Sequence, residues 1–164
     1  MGIKQYTYGY FMKNLIAPHG SNTLNPLFIE DSVEREDLIN NSNNMKKLLL
    51  NSAAAANVVM LGAGYFTPLS GFMDKKNAIT VANDMLTTEG LFWPIPIINL
   101  TEDTNNIKVG DEIALLDPNM KDNPVIAIQQ VSAIESFSDD EIKSMAEKIF
   151  GTTDTNHPGV KNFL

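Results

Sequence analysis

The chain contains no cysteine. That excludes disulfides, thiol catalysis and cysteine-ligated zinc, and it fits a reducing, cytoplasmic setting. Arg35 is the single arginine among 12 basic residues. Bidentate clamps on phosphate or carboxylate are typically arginine work, so a site for ATP and a second anion is poorly supplied. Positive charge is scarce overall, because 20 acidic residues leave a formal net charge of -8. Such a chain repels phosphate backbones, which argues against a nucleic-acid partner. No apolar run reaches the roughly 20 residues that span a bilayer. The opening "MGIKQYTYGYFMKN" has neither a secretory apolar core nor a small-residue cleavage site, so no membrane partner is expected. Nothing matches G-x-x-x-x-G-K-[ST], the phosphate-cradling loop of many nucleotide enzymes.

What is present suffices for one globular domain. The 164 residues are 43% apolar and 20% charged, enough to bury a core without staples. Residues 1–14 read as an N-terminal extension, partly flexible, and Met12 would itself serve as a start. Residues 15–164 read as the domain.

The plainest element is "SDDEIKSMAEKIFG". Ser138 with Glu141 three residues on forms a capping box. Asp139 and Asp140 suit the positive end of a helix dipole, and Lys148 suits the other. Ile142, Met145, Ala146, Ile149 and Phe150 share one face. Gly151 can stop the helix in the left-handed conformation. "DKKNAITVANDML" predicts a helix capped by Asp74, with Ala78, Val81, Ala82 and Met85 on its buried face. "SAAAANVVMLGAG" predicts another, with Ser52 as cap and Gly62 as stop. A short helix spans Val33 to Ile39, and "NNSNN" is a loop tip with nothing to bury. "DEIALLD" and "PVIAIQQVSAI" read as strands joined by the polar turn "PNMKDNP". "PIPIINL", with two prolines, is an edge strand at best. "KVGD" reads as the tight lead-in to a barrel strand. Strands mixed with helices without regular alternation indicate an α+β fold around a small barrel.

Candidate chemistry is sparse. "GAGYF" follows a helix and lacks a third glycine, so it is a helix stop rather than a dinucleotide fingerprint. Asp154 and His157 could share a metal, but no third ligand is near them in sequence. His19 and His157 sit beside proline and glycine and read as turn residues bonded to backbone. "GTTDTNHPGV" is rich in local hydrogen-bonding side chains and reads as a stiff connector after the last helix. Trp93, before a proline, reads as a packing residue. Glu34, Glu36 and Asp37 read as a solvated helix face. No catalytic, cofactor-binding or metal residue is singled out. "GYFTPLSGFM", residues 64–73, is an uncharged apolar loop, where loops are usually polar. Either it packs on its own domain, or it faces something outside this chain.

Taken in order, "LIAPHGS", "GAGYFTPLSGFM", "GLFWPIPI", "VGDEIALLD" and "AEKIFGTTDTNHPGV" resemble the N-terminal domain of the sulfate adenylyltransferase (ATP sulfurylase) family. The resemblance runs from Leu15 to Phe163. It implies a PUA-like (pseudouridine-synthase-and-archaeosine-transglycosylase-like) small mixed β-barrel with flanking helices, ahead of a catalytic domain. The parent reaction joins sulfate to ATP, giving adenylyl sulfate and pyrophosphate, with Mg-ATP as the implied nucleotide, and it can run backwards in sulfur oxidation. The family's motifs, Gln-x-Arg-Asn-Pro, His-x-x-His and Gly-Arg-Asp, lie in the second domain and do not occur here. The expectation is therefore a non-catalytic domain whose partners are its own catalytic domain and, in the parent, further copies of itself. The final residues, "HPGVKNFL", fall about where an interdomain linker should begin. A stand-alone PUA-like RNA-binding or scaffold domain is the alternative.

Overall fold

A computed structural model describes residues 16–102, 104 and 106–163. Residues 1–15, which include the expected extension, lie outside the described set. Its elements run α1 (Ser32–Ser42), β1 (Lys46–Leu49), α2 (Ser52–Gly62), α3 (Lys75–Asp84), β2 (Glu112–Leu116), β3 (Val125–Gln130), α4 (Asp139–Phe150) and α5 (Pro158–Phe163). The three strands form one mixed sheet in the order β1-β2-β3. β1 runs parallel to β2, with Lys46 opposite Ile113. β2 runs antiparallel to β3, with Glu112 opposite Gln130, and the register slips between Leu115 and Leu116. This is the α+β mixture that the sequence predicts.

α4 forms as its signals dictate. The Ser138 side chain accepts from Glu141 N, the Glu141 carboxylate accepts from Ser138 N, and Gly151 closes the helix at φ 70°. Its inner face buries Met145 and Ala146. α3 is capped by Asp74 and buries Ala78, Val81 and Ala82. Met85 departs from the expectation: it is the left-handed C-cap, 54% exposed, and it lies off the buried face. In α2 the cap is Asn51, whose side chain accepts from Ala54 N, rather than Ser52. Ser52 instead donates to Asn119 Oδ1 at 2.7 Å, tying the helix start to the β2–β3 turn. Gly62 stays helical, and the left-handed residue is Gly64.

α1 is longer than expected, because Asp31 caps it and it runs on through Ser42. Ser42 is buried and donates to Ile39 O, so part of "NNSNN" is the closing turn of a helix rather than a loop tip. "PIPIINL" forms no named strand, although Ile97 O accepts from Met73 N at 2.7 Å. β1 and α5 are elements that local patterning did not predict.

Two apolar clusters form the core. The first packs the sheet against α2, through Leu48, Ala54, Val58, Ile113, Leu115 and Val131. The second gathers Leu61, Met73, Val81, Trp93, Ile97 and Met145, which joins α3 and α4. Phe72 packs against both.

Candidate functional site

The loop 64–73 sits at that junction. Phe66, Leu69, Phe72 and Met73 all pack into the second cluster. The Phe66 ring meets Trp93 edge-on at 6.0 Å between centroids. Thr67 is buried, donates to Gly64 O at 2.7 Å and accepts from Asn25 N at 2.9 Å. The Thr67–Pro68 bond is cis. The loop is apolar because it is core. Tyr65, at 74% exposure, is the exception among its large apolar side chains, and Pro68 and Ser70 are exposed as well. Trp93 is buried in the same cluster, a packing residue as expected.

The histidines serve the backbone, as their turn settings suggest. His19 Nε2 lies 2.7 Å from Phe92 O. A carbonyl only accepts, so Nε2 must carry the proton. His157 Nδ1 accepts from Val160 N at 3.4 Å, and its ring packs on Phe150 at 5.5 Å. The Asp154 carboxylate accepts from the backbone and side chain of Asn156, and the Asp154 carbonyl accepts from His157 N at 2.9 Å. Among the described residues, no three His, Cys, Asp or Glu cluster so as to hold a metal. Arg35 donates to Ile29 O, on an exposed helix beside Glu34, Glu36 and Asp37.

Two carboxylates stand below their ordinary range. Lys75 donates to Glu141 at 2.8 Å, and with the Ser138 N–H it lowers that carboxyl from 4.5 to about 2. Lys46 donates to Asp111, and the Lys108 N–H adds a second bond, which together lower the Asp111 carboxyl. Both groups tie chain segments together. Glu141 links α4 to α3, and Asp111 links β1 to the lead-in of β2.

An open cleft of about 2170 Å³ lies among the described residues. β3 and the stretch after it, to Phe137, line it continuously, with Phe72, Asn99 and, from α5, Lys161 and Phe163. Sequence reasoning did not identify this cleft. The relevant signal was the uncharged run of β3, which shows an apolar strand but not what flanks it. Among the described residues no helix is long and apolar enough to cross a membrane.

The chain matches the PUA-like domain family over residues 16–164, and it belongs to that family. Among curated proteins it is similar to a sulfate adenylyltransferase of Alcanivorax borkumensis, 46% identical over 93% of this chain. A sulfate adenylyltransferase of Allochromatium vinosum is 42% identical over 91% of it. The chain spans 38% of the length of each. Among solved structures it resembles one described as a hexameric APS kinase from Thiobacillus denitrificans. The TM-score is 0.61 and the identity 29%, covering 75% of this chain and 24% of that one.

Proposed function

We propose that the chain is the non-catalytic N-terminal domain of a sulfate adenylyltransferase, the enzyme that interconverts ATP and sulfate with adenylyl sulfate and pyrophosphate. The observation that carries the reading is the 46% identity across 93% of this chain to a relative of which it spans only 38%. The catalytic groups would then lie in the remaining length. Two observations support placing them there: Arg35 is the one arginine and sits exposed on α1, giving one N–H to Ile29 O, and among the described residues no three His, Cys, Asp or Glu cluster so as to hold Mg²⁺. In this reading the three-stranded sheet is the centre of a PUA-like barrel, completed by extended segments such as the one whose Ile97 O accepts from Met73 N. Residues 15–164 form the domain together with the start of the linker. The catalytic domain is its first partner, further copies of the enzyme are the next, and the cytoplasm is the compartment. The hexameric description of the similar solved structure supports the second partnership.

The test is direct. Isothermal titration of the chain with Mg-ATP is expected to show no saturable binding below millimolar concentration. A pyrophosphate-release assay with sulfate is expected to stay at background. Micromolar ATP affinity would overturn the reading.

A further inference from the structure

His157 stands immediately before α5, and its carbonyl accepts the first helical bond, from Lys161 N at 3.0 Å. That is the N-cap position, where a side-chain acceptor usually takes one of the free N–H groups of the first turn. Here the acceptor is an imidazole nitrogen, because Nδ1 takes Val160 N at 3.4 Å. Among the described residues Val160 N meets no other acceptor. Val160 is wholly buried, so water cannot supply one. The proton of the neutral ring then sits on Nε2.

The same ring helps hold α5 on α4. It lies 5.5 Å from the ring of Phe150, the last residue of α4. Phe163 meets that ring edge-on at 5.8 Å. Gly159 comes so close that a Cβ there would stand 2.6 Å from it. The end of α4 and the whole of α5 thus join around one aromatic ring.

Imidazole is the side chain that ordinarily changes charge between about pH 5 and about pH 8. A second proton would go to Nδ1 and turn the acceptor into a donor. The buried Val160 N–H would then face another N–H and be left unpaired, which costs more than an ordinary hydrogen bond is worth. The positive end of α5 also disfavours a cation in this place. Cation–π attraction to Phe150 runs the other way, and for an exposed ring it is the smaller effect. The charged groups of the elements that meet here are Glu147 and Lys148 in α4, Asp154 in the connector and Lys161 in α5, all exposed. None forms an ion pair with the ring, and the Asp154 carboxylate is taken by Asn156. His19 is the contrast: it donates through Nε2 to Phe92 O, a bond that a second proton leaves intact.

We propose that His157 is a pH-sensitive latch, which caps α5 and pins it to the end of α4 while the ring is neutral, and releases it when Nδ1 takes a proton. The hold is present above the imidazole range and is lost as pH falls through it. Lys161 and Phe163 line the cleft, so release of α5 also removes part of its wall. Amide exchange measured at about pH 7.5 and about pH 5, each scaled to the intrinsic rate at that pH, tests the latch. The protection of Val160 and Lys161 is expected to fall about fivefold to tenfold at the lower pH. Met145 and Ala146 in α4 are expected to keep theirs. His157→Asn supplies a cap acceptor that does not titrate, so its α5 protection is expected to be the same at both pH values. Nitrogen NMR of the unsubstituted chain is expected to find Nδ1 without a proton at the higher pH. An Nδ1–H tautomer there sinks the proposal. So does unchanged α5 protection in the unsubstituted chain, or an equal fall in His157→Asn.

Discussion

Gly64 and Gly71 lie in the same apolar loop and are under opposite constraints. Gly64 holds φ +76°, and a Cβ there would stand 3.1 Å from Pro26 N and 3.2 Å from Pro26 Cα. Those are backbone atoms and cannot swing aside. The left-handed conformation alone costs a residue with a side chain about 1–2 kcal/mol. Gly71 has open space around the same position. Urea denaturation is expected to show Gly64→Ala destabilised by about 1–3 kcal/mol, and Gly71→Ala within about 1 kcal/mol of the parent chain. Equal effects at the two positions would contradict the geometry. The sequence displays both glycines identically, since the difference lies in Pro26, 38 positions upstream of Gly64. The same limit applies to Gly62. It reads as a helix stop, yet its missing side chain makes room for the Phe28 ring, 2.6 Å from where a Cβ would sit.

α4 was legible to the residue because its cap, its box and its stop are all local. Its tie to α3 was not, since Lys75 and Glu141 are joined only by the fold. That tie sets a pH dependence. The Glu141 carboxyl titrates at about 2 in the folded chain against an ordinary 4.5. A carboxyl lowered by folding contributes stability that is fully present above the ordinary value. The contribution is lost as pH falls from there through about 2. Carboxyl-detected NMR is expected to find the Glu141 midpoint near 2, moving up toward 4.5 in Lys75→Met. A midpoint already at the ordinary value in the parent chain would remove the tie. In the connector after α4 the local ties that its side chains suggest are present, and the chain then does more than the sequence showed. Asp154 N bonds Thr152 Oγ1, and Asn156 N bonds the Asp154 carboxylate. Pro158 then starts α5, suiting a first helical position where no N–H is needed. Val160 is fully buried, and Phe163 meets Phe150 edge-on at 5.8 Å. Amides through His157 and Lys161 should exchange about as slowly as those of α4. Val160→Ala should cost on the order of 2 kcal/mol. Random-coil exchange from Thr152 onward would show that α5 does not anchor the connector.

For the molecule as a whole, charge decides the alternative to a sulfurylase domain. At -8, with one arginine, the chain has little with which to neutralise phosphates, and phosphate contacts supply most non-specific affinity for RNA. A polarisation titration with mixed single- and double-stranded RNA at physiological salt is expected to stay flat. Tight binding with a steep salt slope would restore the RNA-binding alternative. The sheet was only partly readable at this scale. β2 and β3 announce themselves by apolar β-branched runs across a polar turn. β1 is four residues, two of them lysine, and is a strand because β2 lies beside it. That parallel pairing also sets an order of events. β2 and β3 can meet through the turn at 117–124, and α4 and α5 through a few residues. β1 must wait until residues 50–111, with α2, α3 and the apolar loop, have been made and brought round. Closing so long a loop costs entropy before any contact repays it. During synthesis, then, Leu48 and the apolar face of α2 leave the ribosome well before the strand that covers them. They spend that interval as exposed surface within reach of chaperones.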